Sequence, residues 1–128
     1  MTATVLVVDD DAEIRDALRI LLEEAQYSVL EATNGVQAIE ALRTATHRMV
    51  VLLDLMMPLV DGAGVLGVVA ANRLLSTQHA YILVTATQKT FTLAFASMLA
   101  QLQVRVISKP FDIDRLLAIV KEAADRLA

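Results

Sequence analysis

Val50-Val51-Leu52-Leu53-Asp54-Leu55-Met56-Met57-Pro58 reads as a buried strand that runs straight into a carboxylate. Four branched apolar residues in succession leave no polar face, as in a strand covered on both sides. Asp54 ends the run, and Pro58 removes a backbone donor soon after. In an open parallel sheet, ligands bind at the carboxyl ends of the strands. Other strands of the chain are therefore expected to deliver polar groups to the same edge.

On either side of this strand, apolar runs alternate with helical periodicity. Val5–Val8 is a short strand ending in Asp9, Asp10 and Asp11. A helix follows, with Asp11 as its cap and Ile14, Leu18, Leu21, Leu22 and Ala25 on one face. Ser28–Ala32 is a weaker strand. Asn34-Gly35 leads into a second helix whose buried side is expected to hold Val36, Ile39 and Leu42. After Met49–Leu53, the turn Asp61-Gly62 opens one further helix to Leu75, weakened by Gly64 and Gly67. Ala80–Val84 is the fourth strand, ending at Thr85. A helix is expected over Thr87–Leu102, a strand over Val104–Ile107, and a last helix capped by Asp112 with Leu116, Leu117, Val120, Ala124 and Leu127 inward. Five strands alternating with five helices predict an α/β fold, a doubly wound parallel sheet in a single domain spanning 1–128.

Composition narrows the chemistry. Apolar residues make up 56% of the 128, which excludes disorder. The net charge is −4 with no basic run, which argues against direct nucleic-acid binding by this domain. Absence of cysteine excludes disulfides and zinc–thiolate sites. The N-terminus lacks the pattern of a signal peptide, and no apolar run reaches membrane-spanning length. A soluble cytoplasmic protein with no membrane partner is the expectation. His47 and His79 have no second histidine at ligand spacing and are read as solvated.

Folding the alternating order brings the ends of strands one, three, four and five together, and with them Asp9, Asp10, Asp54, Thr85 and Lys109. Taken singly, Asp9 and Asp10 are loop acids, Thr85 a strand-end residue and Lys109 a surface lysine. Together they ask for an explanation. Clustered carboxylates repel and stay ionised only beside a cation. Oxygen donors without thiol or imidazole suit magnesium, with manganese as a substitute. Cation, hydroxyl and ammonium together fit a phosphoryl group, and Asp54 is the candidate nucleophile.

These residues carry a resemblance. Val5-Leu-Val-Val-Asp-Asp-Asp11, Leu53-Asp54-Leu-Met-Met-Pro58 with Asp61-Gly62, Thr85-Ala86 and Lys109-Pro110-Phe111 together resemble the CheY-like receiver domain of the two-component response-regulator family. The resemblance spans essentially the whole chain. It implies a flavodoxin-like three-layer sandwich with strand order 2-1-3-4-5. It implies phosphoryl transfer to Asp54 from a histidine kinase or a histidine phosphotransfer protein. Asp10, Asp54 and the backbone carbonyl of Met56 would hold magnesium, with Asp9 assisting through water. Thr85 and Lys109 would meet the phosphoryl oxygens, and the Lys109-Pro110 bond is commonly cis. Two departures stand out. Val106 occupies the position, three before the lysine, where the family usually has an aromatic that turns inward. Leu102-Gln103 replaces the usual Gly-Ala pair.

Other classes fit less well. A haloacid-dehalogenase-like phosphatase wants a second aspartate where Met56 stands, and a nucleotide-binding fold wants glycines where Asp9–Asp11 stand. A degenerate receiver serving only as a binding surface would lack one of the acids, the threonine or the lysine. The expected role is a signalling receiver and not a turnover enzyme. Residues 88–106 carry only Lys89 and Arg105 as charges, and Leu93 and Ala100 lie off the apolar stripe. The helix four, strand five and helix five face is thus the expected contact for a partner or a homodimer.

Overall fold

Each of the five apolar runs is a strand in the computed structural model, which describes residues 3–86 and 91–128. The strands are β1 (Thr4–Val8), β2 (Ser28–Ala32), β3 (Met49–Asp54), β4 (Ala80–Thr85) and β5 (Arg105–Ser108). All pair in parallel in the order β2-β1-β3-β4-β5. The helices are α1 (Ala12–Glu24), α2 (Gly35–Thr44), α3 (Gly62–Ala70), α4 (Arg73–Gln78), α5 (Leu93–Gln101) and α6 (Ile113–Leu127).

Alternation along the strands divides the core between the two faces of the sheet. Val5, Val7, Val50, Leu52, Ile82 and Val84 pack with Leu18 and Leu22 of α1 and with Leu116, Ile119 and Val120 of α6. Leu6, Val8, Val51, Leu53, Tyr81 and Leu83 pack with Leu42 of α2, Val65, Leu66 and Val69 of α3, and Leu99 of α5. Every residue of β3 is buried, because helices cover it on both faces and β1 and β4 flank it. The strand that ends in Asp54 is therefore held from all sides.

Six helices, and not five, stand among the described residues. The segment expected as one helix to Leu75 breaks at Asn72. There the backbone is extended at φ −125°, and the side-chain oxygen accepts from Leu74 N and Leu75 N. An asparagine that caps a new turn competes with continuing the old one. Two burial assignments also change. Val36 is 51% exposed, and Ala38 takes the inward place beside Leu42. His79 is only 4% exposed and accepts the Met49 amide on Nδ1 at 3.0 Å. The helix expected from Thr87 begins, as described, at Leu93 with Thr92 as cap; residues 87–90, Lys89 included, lie outside the described residues.

Candidate functional site

Strand register sets the site. Val8 lies opposite Leu53, and Asp54 lies opposite Val84, so Asp9, Asp54 and Thr85 leave the sheet at neighbouring points of one edge. Thr85 pairs with Ser108, which puts Lys109 one residue beyond β5 at the same edge. The Lys109 amide donates to the Thr85 carbonyl at 2.7 Å, and the Lys109-Pro110 bond is cis.

Asp9 and Asp54 are buried at 3% and 6% exposure, whereas Asp10 faces solvent. One carboxylate oxygen from each of the three lies within 4.8 Å of the others. Lys109 Nζ donates to Asp9 Oδ2 at 2.9 Å and stands 3.5 Å from Asp54 Oδ1. The longer contact is an attraction between charges and not a formed hydrogen bond. Asp9 Oδ1 accepts from the Asp11 amide at 2.9 Å. Thr85 is buried beside them, and the Met56 side chain is 63% exposed on the loop after β3.

Burial holds the Asp54 carboxyl above its ordinary range. The charges of Asp9 and Asp10 push the same way, and Lys109 only partly offsets them. Burial would pull the Lys109 ammonium down. Its hydrogen bond to Asp9 and the charges of Asp54 and Asp9 outweigh that, and its pKa lies above the ordinary lysine value. The acids thus carry more negative charge than one ammonium neutralises. A donor set of three carboxylates, without thiol or imidazole, fits a hard divalent cation such as magnesium.

The loop after β3 is shaped by Gly62. Its amide donates to the Leu55 carbonyl at 2.9 Å, and a Cβ there would come within 2.6 Å of the Asp54 carbonyl oxygen. Only a residue without a side chain allows this approach. In the sequence Gly62 stands out as a turn signal and as part of the motif around Asp54, but its contact with the Asp54 carbonyl is not visible there. Arg15 carries no such signal, yet its Nη1 donates to the Asp9 carbonyl at 2.7 Å. Its place one helical turn after the cap Asp11 was the only available sign.

The family model for the response regulator receiver domain matches residues 5–121. The chain belongs to that family. It is a receiver domain, a phosphoacceptor signalling module and not a turnover enzyme, and it carries the acidic cluster such a module needs for its divalent cation. Receiver domains work with histidine kinases or histidine phosphotransfer proteins. Among solved structures it resembles the receiver domain of the Francisella response regulator 1452, at 27% identity and a TM-score of 0.84, over 99% of this chain and 100% of that one. A CheY-like receiver domain protein from Methanospirillum hungatei is similar at 28% identity and a TM-score of 0.82, over 98% and 96%. Among curated proteins, the DNA-binding dual master transcriptional regulator RpaA of Synechocystis is 32% identical over 91% of this receiver domain and 47% of its own length. The transcriptional regulatory protein ResD of Bacillus subtilis is 50% identical over 45% of this chain and 24% of its own. The chain thus spans less than half the length of these two curated relatives. Among the described residues, no helix is long and apolar enough to cross a membrane.

Proposed function

We propose that Asp54 is the phosphoacceptor, that Thr85 and Lys109 contact the phosphoryl oxygens, and that Asp9, Asp10, Asp54 and the Met56 carbonyl form the magnesium site. One observation carries this reading: the carboxylate that ends the fully buried β3 lies 3.5 Å from Lys109 and shares a cluster with Asp9 and Asp10. An Asp54 oxygen attacks the phosphorus of a phosphohistidine. The new P–O bond forms as the P–N bond breaks, and the imidazole nitrogen leaves with the bonding pair and takes a proton. Lys109, held by Asp9, supplies fixed positive charge beside the incoming group, and the Thr85 hydroxyl supplies a donor. Bound magnesium would neutralise further charge on the phosphoryl oxygens. Water attack on the acyl phosphate returns the free carboxylate. The test is intact mass after incubation with magnesium and a small acyl phosphate. Wild type gains one acid-labile phosphoryl group and Asp54→Asn gains none; an equal gain in Asp54→Asn would overturn the assignment.

Residues 1–128 act as one receiver domain in this reading, the family match covering 5–121. The phosphodonor protein docks on the apolar groove of about 680 Å³ beside the site, where Ile14, Ile20, Leu21, Phe111 and Ile113 meet Lys109. Continuity with Lys109 supports this placement. A second contact, to a partner or to another copy, uses the face of α5, β5 and α6. Leu93 at 88% exposure and Val106 at 36% support it, and β5 is an edge strand.

A further inference from the structure

Arg15 is half-buried at 14% side-chain exposure on the inner side of α1, and its contacts are unusual for a helix-surface arginine. Nη1 donates to the backbone carbonyl of Asp9 at 2.7 Å. Nε lies 3.3 Å from Glu31 Oε1 on β2, an ion pair without an aligned hydrogen bond. The second Glu31 oxygen is taken by Arg19, at 2.7 Å from Nη2 and 2.9 Å from Nε. Glu31 is thus anchored from one side and restrains Arg15 from that anchor. An ion pair at the edge of solvent contributes little on its own. The carbonyl contact is what gives it a role.

The Asp9 carbonyl belongs to the peptide plane that joins Asp9 to Asp10. Six atoms of that plane move together. Fixing its oxygen fixes the direction in which the chain leaves Asp9, and so the place of the Asp10 Cα. The other polar atoms of Asp9 are already held: its amide by the Ala32 carbonyl at 3.2 Å, Oδ1 by Asp11 N at 2.9 Å and Oδ2 by Lys109 at 2.9 Å. Among the described residues Asp10 has no such ties of its own, and it faces solvent. We infer that Arg15 is a positioning residue for the cation site, which sets Asp10 against Asp9 and Asp54 through the Asp9–Asp10 peptide and is itself held by Glu31.

This inference rests on the reading of the three acids as a magnesium site, and calorimetric magnesium titration separates the two. Wild type binds the ion. Arg15→Met, similar in volume but without donors, binds it about tenfold more weakly, the lower end of what removing an outer-shell partner costs. Arg15→Lys falls between. Arg19→Met, which loosens the same Glu31 but leaves the contact of Arg15 with the Asp9 carbonyl, weakens binding less than Arg15→Met does. Acyl-phosphate labelling of Arg15→Met is slow at low magnesium and recovers at saturation, since the acids themselves remain. Circular dichroism checks folding, and Arg15→Lys with Glu31→Gln carries the test if Arg15→Met does not fold. Unchanged affinity in Arg15→Met overturns the positioning role. A wild type that binds no magnesium overturns the cation site itself, and the inference with it.

Discussion

Lys109 is bound more closely to Asp9, at 2.9 Å, than to Asp54, at 3.5 Å. The ammonium is therefore anchored chiefly by Asp9, the neighbour of Asp54, and holds Asp54 at the longer distance. Lys109→Met removes both attractions from a site only 17% exposed at the lysine. The expected cost is about 2 kcal/mol, less than for a fully buried pair because the lysine tip reaches solvent. Loss of an oriented donor should slow labelling by acyl phosphate about a hundredfold. The pH dependence has a definite sign. The folded pKa of Lys109 is raised, so its contribution is complete below the unfolded value of 10.5 and is lost as pH rises through the folded value. Urea melts should show an alkaline loss of stability in wild type that Lys109→Met lacks.

Asp54 has the opposite linkage. Its folded pKa is raised above 3.8, chiefly by burial and by Asp9, so the ionised form costs stability. That cost is present above the folded pKa and disappears as pH falls toward the unfolded value. Asp54→Asn should therefore be more stable than wild type at neutral pH, by about 1 kcal/mol or roughly 4 °C in a domain of this size. The gap should close on acidification, and also when magnesium is added, since the ion offsets the same repulsion. Thermal melts across pH, with and without magnesium, check both arms. A neutral-pH Asp54→Asn protein less stable than wild type would show that the carboxylate is a structural partner and not a strained one.

The architecture was readable because β3 has no polar residue before Asp54 and because the strand ends carry most of the chain's notable polar groups. Periodicity was a weaker guide to where helices stop. Nothing in the apolar pattern of residues 62–75 separates one helix from two; the break depends on Asn72 accepting two amides locally. His79 was misplaced for a related reason. A lone histidine looks like a solvated one, but here its Nδ1 caps the first amide of β3, with burial pushing its pKa down and favouring the neutral ring. Arg15 and Gly62 acquire their meaning only when the fold sets them against the backbone of Asp9 and Asp54.

The groove beside Lys109 separates two routes of phosphorylation. Ile20 lines it at 60% exposure, away from the acids. On the proposed site a small acyl phosphate would need only the acids, the lysine and the threonine, whereas a phosphohistidine protein would also have to seat its own surface. Ile20→Lys should lower the rate of transfer from the phosphodonor protein about tenfold or more, as loss of an apolar anchor does at an interface. Labelling by acyl phosphate should be unchanged. A matched fall in both rates would point to a disturbed site, and no fall in either would remove the groove as a docking surface.

Exposed apolar side chains also gather on the α5–β5 side. Leu93 begins α5 at 88% exposure, Ala100 lies exposed one residue before its end, and Val106 is 36% exposed on the edge strand. Exposed apolar groups on one face beside an unpaired strand edge favour association. In many receivers an aromatic at the position of Val106 would report the state of the site by turning. A valine has no ring to turn, so coupling between Asp54 and this face should be modest: an affinity change of about fivefold on phosphorylation, the weak end of measured allosteric couplings. Leu93→Lys combined with Ala100→Glu places two charges where an interface would exclude water. Light scattering and partner pull-down, each with and without acyl phosphate, should show association lost in the double variant in both states. Association that survives the two charges would reject the face. A wild type whose association rises a hundredfold on phosphorylation would keep the face but show that the signal reaches it by a route other than the residue at 106.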